Sequence, residues 1–447
     1  MPKHLIRLRN LMSYPETSGF LSKLSPLKKK LVVLTCLSLA LSVSYLGYLL
    51  FLDSVLESKL GKIRKAGYPT NTEELDKFYT KIPDNENAAI IYGEAFANYQ
   101  DNPPGIDKNL LVICGFAQMP SDTEPLDQEK KDTSVRYLAK NAKALELLHK
   151  AAKFQKTRFN FDFYNWTNVK LFSSLRQGAR LLEMEGFIAL ENSDSEKFLE
   201  SVKDSVALSC SLDEMPIIIS VLVQYSAQSL SLEEIQRALI RNTFTDEQLH
   251  AMYDAFGRYE ESRTLRRAFI GERSFAIKWE QLFYSRIFGL DRTNCIGYLD
   301  ILSESVDICG LPPEEMLRRS KELKKKIKDL PFYMYECKNT SSGLMNVFDK
   351  KCLALANVAC NRAGLAVERY RLKYGKLPEK LFDLKAEFIE NVPLDPFDGK
   401  ELRYKKLPKG YMIYSIGSDC VDNGGTPESL KRYGYQSGTD TTIMIGK

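Results

Sequence analysis

Ala366-Val-Glu-Arg-Tyr-Arg-Leu-Lys-Tyr-Gly-Lys-Leu-Pro378, then Val392-Pro-Leu-Asp-Pro-Phe-Asp-Gly399, then Tyr414-Ser-Ile-Gly-Ser-Asp-Cys-Val-Asp-Asn-Gly-Gly425 form the most informative part of this chain. The first stretch closes a helix. From Asp349 to Tyr374, residues Leu353, Ala356, Cys360, Gly364 and Val367 share one face, and Gly375 ends the helix because glycine accepts the left-handed conformation. Leu377 to Leu384 predicts a shorter helix with Leu381 and Leu384 turned inward. Pro393 and Asp395-Pro396 end regular structure, and Asp398-Gly399 is a hairpin-turn signal. Strands are expected at Leu402–Lys405, Gly410–Ser415 and Thr441–Ile445, with Tyr411 and Ile413 on one face of the second and Met412 and Tyr414 on the other.

Outward from this tail the pattern is helical. Val135, Leu138, Ala142, Leu145 and Leu148 recur at threes and fours, as do Leu175, Ala179, Leu182, Gly186 and Ala189. Further helices are expected at Ser195–Ser211, Pro216–Ser229, Leu232–Arg241 and Thr245–Glu261, with Pro216 at a first helical position and Thr245-Asp-Glu-Gln248 as a capping box. Short polar turns at Asn192-Ser-Asp and Asn242-Thr-Phe suggest an α-hairpin array, faintly tetratricopeptide-like over Arg180–Asp194, although no clean repeat of about 34 residues is present. Leu265–Leu282 reads as an amphipathic helix whose Arg266, Arg267 and Arg273 form a solvated face or, alternatively, bind an anionic ligand or lipid headgroups. Ile287–Cys309 looks less regular, and Pro312-Pro-Glu-Glu opens a charged helix ending near Leu330. Before the helical domain, Thr70–Glu73 resembles a capping box, Ala88–Tyr99 a helix and Asp101–Gln128 a loop.

Leu31–Leu52 carries no charge over 22 residues, long enough for a helix to cross about 30 Å of hydrocarbon. It exceeds the apolar core of a signal peptide, and no small-x-small cleavage site follows. Lys28-Lys29-Lys30 before it places the N-terminus in the cytoplasm, which makes the segment a single uncleaved anchor with the remainder extracytoplasmic. A buried core helix is the competing account. The net charge of +5 over 447 residues gives no concentrated basic face, so nucleic-acid binding is not expected. Nine cysteines, one of them Cys36 inside the span, permit one or two disulfides outside the cytoplasm but form no Cys-x-x-Cys pair.

The tail, from Asn346 onward, resembles the globular module of type II secretion major pseudopilins: the end of a helix, Tyr374-Gly-Lys-Leu-Pro378, the turn Asp395-Pro-Phe-Asp-Gly399, and a small antiparallel sheet. That resemblance implies a Ca²⁺ loop using the Ile416 carbonyl and Asp419, with Asp422 or Asp440 completing the set; Ca²⁺ takes six to eight hard oxygens in a flexible loop. The N-terminus departs from a prepilin. Gly19-Phe20 is not followed by a glutamate at the fifth position, and the apolar run begins only at Leu31, so cleavage and pilus packing are not expected. The whole chain looks like uncharacterised bacterial membrane-anchored envelope proteins, through Asp213-Glu-Met-Pro216 and the Leu265–Arg273 stretch.

The fold expected is therefore mostly α: a tail at 1–30, a transmembrane helix at 31–52, juxtamembrane helices and a loop at 53–130, an all-helical domain at 131–345 and an α+β module at 346–447. The function expected is a structural or protein-interaction role in the bacterial inner membrane, anchored by a single pass and facing a protein partner. Three histidines (His4, His149, His250) form no zinc pair, and nucleotide and serine-hydrolase motifs are absent from the sequence. His149, near a helix end beside Lys150, has a structural role as its default reading. The alternative is an envelope hydrolase with a carboxylate site in the helical domain, for which Glu183 and Glu185, or Glu272 near Arg263, supply the residues.

Overall fold

A computed structural model describes residues 25–165, 167–260, 262–280, 289–425 and 440–446. The chain is mostly helical. Its helices are α1 (Pro26–Lys65), α2 (Thr72–Phe78), α3 (Ala88–Asn98), α4 (Gln128–Lys140), α5 (Ala142–Ala152), α6 (Lys170–Glu191), α7 (Ser195–Cys210) and α8 (Ile218–Glu233). There follow α9 (Ile235–Arg241), α10 (Asp246–Glu260), α11 (Thr264–Glu280), α12 (Leu290–Ile308), α13 (Pro313–Lys328), α14 (Tyr335–Leu344) and α15 (Asn346–Tyr374). Strands β1 (Arg403–Leu407), β2 (Gly410–Ser415) and β3 (Thr441–Ile445) make an antiparallel sheet in that order.

Helix α1 runs unbroken for 40 residues and is long and apolar enough to cross a membrane. None of its most apolar stretch is buried against the protein, which sets aside the core-helix account. The last turns behave differently. Leu52, Leu56, Leu60 and Ile63 are buried, and Asp53 pairs with Arg292 at 2.6 Å and Lys59 with Asp300, tying α1 to α12.

Helix α15 is the axis of the rest. It packs on α8, α10 and α13, and its far half carries the sheet. One apolar cluster joins Val206, Phe256 and Tyr259 of α7 and α10 to Ala363 and Val367 of α15 and to Tyr411 and Ile443 of the sheet. A second joins α1, α8, α11, α12 and α13 to the start of α15. The third gathers α3, α5, α6 and the aromatic run Phe159, Phe161 and Phe163.

Most expected helices are present, and the departures have physical causes. The stripe from Val135 to Leu148 breaks: Val135 and Ala142 are exposed, because Asn141 separates α4 from α5 and resets the helical phase. Its buried amide bonds the Gln100 backbone in both directions. Helix α8 begins at Ile218, not Pro216, since its first amide is satisfied by the Glu272 carboxylate at 2.9 Å. Residues 290–308, expected to be irregular, form a regular helix. Its buried face includes Asp291, Asn294 and Ser305, which interrupt the apolar pattern in sequence, while Asn294 bonds Tyr333 O and Cys337 N. Leu377–Leu384 gives only a 3₁₀ turn at Leu381–Leu384, capped by Asp383 taking the amides of Glu379 and Lys380. The first capping box sits one residue later: Asn71 caps α2, and Glu74 accepts from the Thr70 amide at 2.7 Å. The second is as expected, with Thr245 N bonding Gln248 Oε1 at 3.0 Å and Gln248 N bonding Thr245 Oγ1 at 3.2 Å. All nine cysteines lie within the described residues and none is in a disulfide, so the expected bridges are not formed.

Candidate functional site

The C-terminal loop is organised by a residue that the sequence placed in a turn. Asp395 is completely buried, and its carboxylate accepts from Phe397 N (3.0 Å), Ser415 Oγ (2.8 Å) and Ile416 N (2.9 Å) while pairing with Arg403. It joins the Asp395–Gly399 turn to the start of the expected metal loop. Arg403 also grips Asp398 at 2.5 Å; burial pushes the Asp398 carboxyl up, but the Arg403 bond outweighs it and holds the group low.

The loop holds the four expected ligand residues as follows. The Ile416 side chain is buried, and its amide goes to Asp395. Asp419 is exposed and accepts from Val421 N at 3.0 Å. Asp422 accepts from Gly424 N at 2.9 Å and Tyr414 O–H at 3.1 Å, and the Gly424 bond leads in holding its carboxyl low. Asp440 is buried and accepts from Gly425 N at 2.6 Å. Asn423 links Asp440 and Asp419, at 3.4 and 3.5 Å, whereas Asp422 turns toward Tyr414 and Arg403. The oxygens have the hard character Ca²⁺ needs, but each carboxylate is aimed at a different partner.

Among the described residues, the set of three ligand-type side chains whose donor atoms lie within 4.8 Å of one another is elsewhere, at His149, Glu200 and Asp204. His149 sits in the last turn of α5, between α6 and α7. Its Nδ1 lies 2.5 Å from Asp204 and its Nε2 3.1 Å from Glu185. Burial pushes the imidazole down, but hydrogen bonds to Asp204 and Glu185 raise it to about 9, so it is a cation at neutral pH. Lys197 bonds Glu185 at 3.1 Å and Glu200 at 2.9 Å, filling with an ammonium the place a metal would take. A metal would have to displace both positive charges. The cluster is therefore an ion network stapling α5, α6 and α7. The sequence offered Glu185 and His149 separately; Asp204, 55 residues from His149, carried no local signal.

Two sequence motifs that looked unrelated meet in space. Asp213-Glu-Met-Pro216 lies against α11. Thr264 Oγ1 and Ser262 Oγ both donate to Asp213 (3.1 and 3.0 Å), and Arg267 pairs with Glu214 at 2.7 Å. A Cβ on Gly271 would stand 1.6 Å from the Pro216 carbonyl oxygen, so only glycine allows this approach. Glu272 is buried on the Ile218 amide, and burial pushes its carboxyl up to about 7. It is a helix cap, and Glu183 is likewise buried in α6. The expectation of a solvated arginine face fails here, because Arg273 is 5% exposed.

Two open clefts flank the contact of α10 with α15. One, of about 470 Å³, is lined by Phe244, Asp246, Arg369, Leu372 and Phe388, among others. The other, of about 340 Å³, runs between Tyr253, Arg362 and the Asn391–Leu394 stretch. Their charges are already matched: Arg369 grips both oxygens of Asp246 at 2.8 and 3.0 Å, and Arg362 pairs with Glu260. Leu372 and Leu394 remain exposed, 55% and 58%. Comparison with protein families, curated proteins and solved structures finds no match to this chain.

Proposed function

We propose that this is a membrane-anchored structural and interaction protein of the bacterial envelope, with its N-terminus in the cytoplasm and its folded mass outside the inner membrane. The observation that carries the reading is the continuity of α1. One helix presents a bare apolar length and then buries Leu52, Leu56, Leu60 and Ile63 in the fold, so the domain stands on its anchor in a fixed pose instead of on a flexible tether. The clefts beside α15 suit a protein partner better than a small substrate. They are open, their charges are paired, and exposed leucines offer apolar contact. In this reading the helix pairs act as a tetratricopeptide-like frame and the tail as a pseudopilin-like module whose loop Ca²⁺ stabilises.

The test uses Cys420, the exposed thiol that lies outside the apolar helix carrying the other, Cys36. In intact spheroplasts a membrane-impermeant maleimide is expected to label it; labelling only after lysis overturns the topology. A photo-crosslinker in place of Leu394 is expected to trap one discrete partner, lost when Leu372 and Leu355, which lines the same cleft as Leu394, are changed to Glu. Its failure, and failure at Leu372, would remove the interaction role. Calorimetric Ca²⁺ titration of the full chain, beside Asp419→Ala, checks the loop: saturable binding lost in the variant is expected, and none in either denies the metal.

A further inference from the structure

The most unusual charge in the fold is Arg273. Its side chain is buried at the contact of α11 with α12, and no carboxylate pairs with it among the described residues. Its Nη1 reaches Ser303 Oγ at 3.5 Å, while Nε and Nη2 have no hydrogen-bond partner among the described residues. Those two N–H groups are the side-on edge of the guanidinium, the edge that grips two oxygens of one oxyanion in parallel. A buried charge left without partners carries a large desolvation cost that its own surroundings do not repay. Such a group persists where something outside the chain compensates it.

The surroundings are cationic and rich in donors. Arg266 lies two turns earlier on α11, and the Tyr68 ring sits 5.5 Å from its guanidinium and 5.4 Å from that of Arg273. Arg266 Nη2 donates to the Tyr68 oxygen at 2.8 Å, which leaves the Tyr68 O–H itself free to donate. Exposed Asp307 is the acid acting on Arg273 and offsets one of the two positive charges only in part. Tyr68 and Arg266 are half-buried, so the seam reaches solvent on their side.

We propose that Arg273, Arg266, Tyr68 and Ser303 form a binding site for a soluble phosphate group, free or as a monoester. Two guanidiniums match a dianion, and the two hydroxyls serve its remaining oxygens. Phosphate could also come from a lipid headgroup, and the position of the site argues against that source. This clause rests on α1 as the anchor. Lys65, the end of α1, lies about 20 Å beyond the last residue of the apolar run at 1.5 Å per residue, whereas the headgroup layer is only roughly 6 Å deep.

The test takes the full chain in phosphatidylcholine nanodiscs in phosphate-free buffer. Low-millimolar inorganic phosphate is expected to raise Tm saturably, and chloride at equal ionic strength to leave it unchanged. Arg273→Met should abolish the rise. Tyr68→Phe and Ser303→Ala, which keep the arginine, should each weaken phosphate binding several-fold, and they carry the test if Arg273→Met does not fold. No rise in the wild type, or an equal rise in Arg273→Met, overturns the site. Stabilisation by phosphatidylglycerol nanodiscs alone overturns the soluble source. Membrane fractionation reports separately on the anchor, so failure of the site and failure of the envelope reading remain distinguishable.

Discussion

The C-terminal loop and the α11 seam each bury a full charge, and they treat it in opposite ways. Asp395 is completely buried and has four partners, among them Arg403 and two backbone amides. Arg273 is almost as deep and has a single hydroxyl at the limit of hydrogen bonding. The first arrangement is complete within the chain and holds a turn, a strand and a loop together. The second is complete only with a group from outside. Buried charges that look alike by depth thus separate, by their partner lists, into those that maintain the fold and those held ready for a ligand.

Four experiments break or sharpen this contrast. Asp395→Ala should have the largest effect, a loss of about 3–5 kcal/mol in chemical denaturation, because it leaves two backbone amides unsatisfied in the interior and takes from Arg403 one of its carboxylates, Asp398 remaining. A cost below about 1 kcal/mol would mean the network is not what holds the loop. Next is Gly271→Ala. The added Cβ collides with the Pro216 carbonyl, and overpacking of this kind costs about 1–3 kcal/mol; an unchanged midpoint would show that α11 can move away freely.

The third concerns the His149 network and is read as a slope. Its folded value of about 9 lies above the ordinary 6.5, so its contribution is whole below about pH 6.5 and lost as pH rises through about 9. Glu185 works in the other direction. Burial pushes it up, but the bond to His149 wins and holds it low, so its contribution is lost as pH falls through that lowered value. Stability measured from pH 6 to 10 should therefore decline in the wild type and be flatter in His149→Gln. Equal slopes would exclude the network as the cause. The smallest loss is expected for Arg273→Met without phosphate, where stability should hold or rise, since an apolar side chain relieves the desolvation of an uncompensated buried charge. A loss as large as that of Asp395→Ala would show that the chain itself satisfies Arg273.

Much of this architecture was legible in the residues. The uninterrupted apolar run from Leu31 to Leu52, the Thr245 capping box, the Gly375 stop (φ +66°) and the three short strands are local features, and each follows from chemistry within a few positions. Long amphipathic helices such as α6 and α7 were equally plain. The misreadings fell where a distant group replaced a local one. Ile218 starts α8 because Glu272 caps it from α11, and α12 is a helix although its buried face carries Asp291 and Asn294.

The candidate sites divide along the same line. The sequence by itself determined that the chain carries a membrane-length helix, a helical body and a small sheet following a Gly-stopped helix, because period, charge and turn residues act over one to four positions. It also brought forward the loop aspartates as oxygen donors. Only the tertiary structure decided that those aspartates face separate amides, that Asp204 closes on His149 across 55 residues, and that Arg273 leaves solvent for a seam where no carboxylate pairs with it among the described residues. Those outcomes depend on which helix faces lie together, and the energy of a buried charge is set by neighbours that sequence distance does not reveal.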